Sequence, residues 1–415
     1  MLQAGAALVD ITPPPGLAMS GFAARTKPAT GAHDPLTVRA IAVDDTAIVA
    51  ADVLGLHEDM SRRIRQRCVL PAGHVIIAAV HNHGGPASMF GRVGGDADAH
   101  FLQCLEDACV AAIDQAVARQ RPAALSIAMG DDPDVARNRR HDGGVVDRSL
   151  PLLRIRGADG DMIAVLTSYA CHPVVLGADN QLWTADYPHY VRTTLEASYP
   201  GAMAMFLTGC TGDANTGHSA QASASLASNE ARTFATAERL GRKIAAAALT
   251  VPESPTGTGA RALEADVLLA FKRLETEPLH ELAAKWEAER KHSDPTRAVL
   301  FGHWINWARS APAAPFVAWR GRISVLRWGD VPIVALPGEI FAETGLSIRH
   351  AIGGRPAFVI SYAEGVPGYI PPASEFPFGG YEVEEAHRFI GMPATFAAGS
   401  AEALADAAIE LLARL

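Results

Sequence analysis

The sequence predicts an α/β fold of mixed β-sheets flanked by helices. Three observations predict it. Short runs rich in Val, Ile and Ala recur along the chain, segments with apolar residues at helical spacing lie between them, and turns containing Gly or Pro separate the two kinds. With 415 residues, 49% of them apolar, the chain can bury a sizeable core. It shows no repeat of fixed period and no biased tract beyond alanine richness, which argues against a solenoid or propeller.

The elements follow in order. "AGAALVDITPPPG" is a β-like run stopped at three prolines, which lack amide donors and have a fixed φ. "VRAIAVDDTAIVAADV" and "HVIIAAVHNH" are buried strand stretches separated by a polar helix from Glu58 to Gln66, which suggests a βαβ unit. A helix over Asp98 to Arg119 precedes strand-like "ALSIAMG", "PLLRIRG" and "MIAVLTSYACHP". Asn229 to Thr250 is a long Ala-rich helix, and "VPESPTGTG" after it is the clearest linker signal, with a subdomain boundary at 251–260. A charged helical region runs from Pro278 to Arg309, "GRISVLRWGDVPIVALPGE" is a hairpin, and Ser400 to Leu415 is an amphipathic helix.

The charge of -9 is spread along the chain, so nucleic acid is not an expected partner. No apolar run approaches the roughly 20 residues that span a bilayer, so stable membrane insertion is not expected either. The N-terminus lacks the features of a secretory signal, and a cytoplasmic location is expected. Five widely spaced cysteines without a CxxC pair fit reduced, buried thiols. A homo-oligomer is compatible with this composition, though no interface is legible.

Chemistry concentrates at three strand ends. In "VIIAAVHNHGGP" an apolar run ends in His81 and His83; in an extended strand residues two apart share a side, so both imidazoles should emerge together beside a glycine turn. His172 follows the apolar run of "AVLTSYACHP" and precedes Pro173, which repeats that geometry. In "VPIVALPGEIF" Glu339 is the first charged residue after a buried strand, a costly position for a carboxylate unless it is paired, protonated or metal-bound. His, His and Glu make an N/N/O set that suits zinc with a position open to water, and spacing alone leaves manganese and iron open.

These segments stand in the order found in the N-terminal catalytic domain of neutral and alkaline ceramidases, and the chain resembles that family from about Leu8 to about Glu384. "VDITPPPGLAMSGFA", "AAVHNHGGP", "ARNRR", "VDRSLPLLRIRG", "YACHPVVLG", "TADYPHY", "FLTGCTGD", "LPGEIF" and "GYIPPASEFPFGGYEV" carry the resemblance. It implies a single catalytic domain over 1–415 with the metal site at strand C-terminal ends and without the family's following β-sandwich domain. It makes His81, His172 and Glu339 ligands of one Zn2+, with Tyr369 as the fourth ligand and Tyr362 as the alternative. His83 would stand beside the attacking water or the substrate carbonyl, and Arg139 would offer paired donors to substrate oxygen.

One departure matters. The family's loop after the Gly-Asp step carries a serine assigned to catalysis, whereas here the loop reads "TGDANTGHS" and Asn215 stands in that place. Asp213 remains to orient a ligand or water. Attack by metal-activated water on the amide or ester carbonyl of a small, polar, acylated substrate is therefore expected. Trp304, Trp307 and Trp319 could line an aromatic pocket for it, although tryptophans at this density are more often core. The competing readings are hydrolysis of a lactone, cyclic amide, sugar ester or phosphoester on the same site, and a non-catalytic homologue that binds a metal or ligand.

Overall fold

The computed structural model describes residues 2–92 and 96–415, and it bears out the mixed α/β architecture. The first sheet has nine strands. Eight follow one path: β1 (Leu2–Asp10), β2 (Thr37–Val43), β3 (Thr46–Ala51), β4 (Val75–Ala79), β5 (Arg121–Gly130), β6 (Leu150–Gly157), β7 (Met162–Tyr169) and β8 (Met203–Thr208), arranged β8-β7-β6-β5-β1-β2-β3-β4. The ninth, Ser254–Pro255, pairs with β5. Pairing is antiparallel except for β3 with β4 and β8 with β7.

"VRAIAVDDTAIVAADV" is two strands, not one, because Asp44 adopts a left-handed φ of 50° and turns the chain into a hairpin. The expected βαβ unit is β3, α1 (Glu58–Arg67) and β4. The helix α2 (Ala99–Ala118) starts where the Asp98 side chain accepts from Phe101 N. Its apolar stripe, including Phe101, Leu105 and Ile113, packs on one face of the sheet. The other face is covered by α3 (Tyr187–Ser198) and α4 (Phe234–Leu249). α4 begins later than the composition suggests, because the Thr233 hydroxyl caps it by accepting from Thr236 N.

A second sheet is formed by β9 (Ala260–Leu269), β10 (Trp319–Trp328), β11 (Val331–Ala335) and β12 (Phe358–Ile360) in that order, and β10 with β11 is the expected hairpin. It packs against α7 (Ala342–Ile352) and α8 (Ser400–Arg414). The charged region before β10 is two helices, α5 (Leu279–Arg290) and α6 (Pro295–Ser310). Trp286, Trp304 and Trp307 there surround the Arg388 guanidinium, so none of them lines the central cavity. Trp319 also lies away from it, with its indole N–H donating to Glu58.

The two sheets meet along the segment after β12. Ser361 N donates to Thr208 O at the end of β8, whereas Ala79 N donates to Tyr362 O and Glu364 N to Ile77 O on β4. Both edges of the first sheet are therefore bonded to one segment of the second, which relieves the exposed-edge problem and sets the ends of β4, β7, β8 and β11 side by side. Among the described residues no helix is long and apolar enough to cross a membrane, and all five cysteines are free, four of them buried.

Candidate metal centre

His81 does not sit in an extended strand. β4 ends at Ala79, and His81 has a left-handed φ of 66°, an uncommon and strained state for a residue with a side chain. The same-side argument from strand alternation is therefore wrong in its reason. His81 and His83 nonetheless meet edge to face with ring centroids 5.1 Å apart. The His81 amide donates to Val53 O and its Nδ1 to Leu54 O at 2.6 Å, while the Tyr362 ring stacks on the imidazole at 3.8 Å.

His172 arrives from the loop after β7. Its amide donates to Ala214 O and its Nδ1 lies 3.1 Å from Thr211 O, so the "TGDAN" loop holds both backbone and ring. Glu339 arrives from the Pro-Gly turn after β11, where Gly338 has a φ of 76° that a side chain would resist. His81, His172 and Glu339 are all buried.

The geometry can be tested for a cation. Carbonyl acceptors at both Nδ1 atoms fix the proton there, so both Nε2 atoms carry lone pairs. Those two Nε2 atoms face each other at 2.8 Å, and Glu339 Oε2 lies 3.4 Å and 3.5 Å from them. Three electron-rich atoms so close repel unless a positive ion lies among them. Ligands at the usual zinc–nitrogen distance of about 2.0–2.1 Å in a tetrahedral array are about 3.3 Å apart, close to the 3.4 Å and 3.5 Å between Glu339 Oε2 and the two imidazoles, while the 2.8 Å between the imidazoles is shorter. Glu339 Oε2 and both ring nitrogens of His83 are buried without a hydrogen-bond partner. His81, His83 and His172 each offer a nitrogen within 4.8 Å of the others, so this buried group can hold a metal ion. Burial, then the neighbouring His81, lowers His83 and His172 well below the usual histidine range, and the neutral imidazole is the ligating form.

Tyr369 and Tyr362 stand differently. Tyr362 OH bonds Thr211 Oγ1 at 2.6 Å and approaches His172 Nδ1 at 3.3 Å, on the opposite side of the ring from Nε2. Tyr369 lines the same cavity as His81 and Glu339, and its hydroxyl accepts from Arg139 Nη2 at 2.8 Å. Arg139 also donates from Nε to Glu382 and from Nη2 to Gly212 O, so two of its nitrogens are already engaged rather than free to fork around a substrate oxygen. Burial acts to lower Arg139, but Tyr369 and Glu382 outweigh it and hold the guanidinium well above its ordinary range.

In the loop of "TGDANTGHS", Asp213 accepts from Ala342 N at the start of α7 and from Asn138 Nδ2. Burial pushes it up to about 6. The Asn215 amide is engaged in its own turn, accepting from Gly217 N and His218 N and donating to His218 O. Thr216 Oγ1 is buried without a partner.

Three supporting residues escaped the sequence reading. Gly21, with φ of 102°, lies so close to His83 that a Cβ would stand 2.5 Å from its Nδ1. Arg25 Nη1 donates to Ser20 O and His83 O, and Nη2 to Gly177 O, tying the loop of His83 to the one after His172. Glu382 anchors Arg139 and Arg140 together. The motifs "SGFAAR" and "GGYEV" contain all three, but no periodicity or charge pattern singles them out.

The centre opens on a cavity of about 80 Å³, room for a few water-sized groups, reached past Leu54, Met89, Val366, Phe389 and Ile390. The family described as "Neutral/alkaline non-lysosomal ceramidase, N-terminal" matches residues 2–231. No curated protein matches the chain in sequence. The chain resembles the crystal structure of neutral ceramidase from Pseudomonas aeruginosa with a TM-score of 0.75 and 18% identity over 100% of this chain and 75% of that one. It also resembles a ceramidase complexed with C2, at a TM-score of 0.74 and 17% identity over 100% and 76%. At these identities the likeness is one of fold.

Proposed function

Since the chain belongs to the neutral/alkaline non-lysosomal ceramidase family, we propose that it is a zinc-dependent hydrolase that cleaves the amide bond of a small acylated substrate. The observation that carries this reading is the convergence of His81 Nε2, His172 Nε2 and Glu339 Oε2, three mutually close electron-rich atoms, with no Lys or Arg paired to Glu339 among the described residues. These three residues would hold the ion, with Tyr369 as the fourth ligand.

When bound, zinc supplies an activated water near neutral pH and polarises the acyl carbonyl. The chain's own groups do the rest. The neutral imidazole of His83, with both nitrogens unpartnered, takes a proton from the attacking water and returns it to the leaving nitrogen. Arg139 acts as a positioning residue that fixes the Tyr369 hydroxyl. Leu54, Met89 and Val366 exclude bulk water from the reacting atoms. The absence of the family's serine at Asn215 favours direct attack by water over a serine route. The opening of His81, Glu339 and Tyr369 onto the cavity favours turnover over a closed, non-catalytic metal site.

The test is elemental analysis of the purified protein with chelation and re-addition assays on a panel of acyl amides and esters. About one zinc per chain, with amide hydrolysis lost on chelation and regained with zinc, is expected. Turnover by a metal-free protein would overturn the reading.

A further inference from the structure

The cavity beside the candidate metal centre contains one carboxylate that the chemistry above does not use. The Tyr381–Glu385 segment forms a π-turn, a rare helical variant that recurs at functional sites. Within it Glu382 turns back to Arg139 and Arg140, whereas Tyr381 and Glu385 both face the cavity. Glu385 makes no hydrogen bond and no ion pair within 4 Å among the described residues. Of the nearby cations, Arg388 is paired with Glu275 and enclosed by tryptophans, whereas Arg297 lies over the Phe301 ring and acts on Glu385 only from beyond ion-pair distance.

The cavity that Glu385 faces is lined also by Tyr381, Phe389, Ile390 and Leu300, and its one lining guanidinium, Arg92, is paired with Glu58. Tyr381 packs edge-on against Tyr369 at 5.7 Å and tilted against Phe389 at 6.0 Å, so the rings form a continuous surface from the metal centre to Glu385. A half-buried carboxylate without a partner in such a setting is costly until a positive group joins it. An aromatic face attracts the same kind of group.

We propose that Glu385 and the Tyr381 and Phe389 rings form a subsite for an ammonium group on the substrate, which rests on the amidase reading and narrows its substrate to acylated amines bearing a second, cationic nitrogen. Burial, with Glu384 and Glu382 nearby, lifts the Glu385 carboxyl above its ordinary range against the pull of Arg388 and Arg297, as expected for a carboxylate without a close partner. The modest cavity suits a short compound such as a mono-acylated diamine.

The test is calorimetric binding to the metal-loaded full chain of n-butylammonium and its neutral isostere butan-1-ol, in the wild type and in Glu385→Gln. At least tenfold tighter binding of the ammonium by the wild type is expected, with the preference falling to within about twofold in Glu385→Gln. Unchanged melting temperature and metal content in the variant confirm that it is folded. Equal affinities in the wild type, or a preference that survives the substitution, would overturn the subsite. Because the readout is binding, a failure of the amidase reading shows separately, as absence of turnover on every acyl amide.

Discussion

Glu339 and Tyr369 are opposite each other in a two-residue parallel ladder, Glu339 with Tyr369 and Ile340 with Ile370, although α7 and β12 lie between them in the chain. Main-chain hydrogen bonds, including Glu339 N to Gly368 O, make this ladder, so it does not depend on either side chain. Glu339→Ala should therefore leave the fold intact while lowering zinc content more than tenfold, measured by elemental analysis alongside circular dichroism. Normal zinc loading would remove Glu339 from the ligand set.

The two tyrosines should separate in their effects. Tyr362→Phe keeps the ring stacked on His81 and loses the bond to Thr211, a change of about 1 kcal/mol in stability and up to roughly tenfold in metal affinity. Tyr369→Phe removes the hydroxyl that Arg139 holds, and should lower turnover about 100-fold at saturating zinc. Kinetics and zinc titration of both variants decide the matter, and a larger loss in Tyr362→Phe would exchange their roles.

Gly21→Ala combines a left-handed backbone with a Cβ in contact with the His83 imidazole. A loss of at least about 2 kcal/mol in denaturant unfolding is expected. Turnover should fall with it, since His83 must shift. An unchanged midpoint would show that the loop of Gly21 relaxes freely.

Glu275 gives a pH signature remote from the metal centre. Burial acts to raise its carboxyl, but His387 and Arg388 outweigh this and draw it from 4.5 down to about 2. A folded-state value below the unfolded one gives stability that is fully present above about pH 4.5 and lost as pH falls toward 2, a total of about 1–2 kcal/mol once solvent screening of this partly exposed group is allowed for. Glu275→Gln should be destabilised by that order at pH 7, and the gap from wild type should close as pH falls through this window. Denaturant midpoints at several pH values measure it, and a gap independent of pH would place the effect in packing alone.

Much of this is legible in the sequence alone. Apolar runs ending in His81, His172 and Glu339 marked strand ends because a buried strand must be apolar on both faces, and a polar residue at its tip therefore stands out. Sequence could not show that the ends converge, since convergence depends on the segment Ile360–Glu364 bonding to β4 and β8 at once. The left-handed turn at His81 was equally hidden, because nothing in "AVHNH" signals it. The tryptophans are conspicuous by type, yet Trp304 and Trp307 enclose Arg388 and Trp319 donates to Glu58.

His81 and His172 precede the segment 251–259, whereas Glu339 and Tyr369 follow it. An ion held by all four would act as a cross-link between the two parts of the chain, and its binding energy would be available only while both stay docked. Free metal at one hundred times its dissociation constant would contribute about 2.7 kcal/mol to that docking. A chain nicked within 251–259 would then hold its two parts together more tightly with metal present than with metal withdrawn, so the ion would serve as a fastener as well as a reagent.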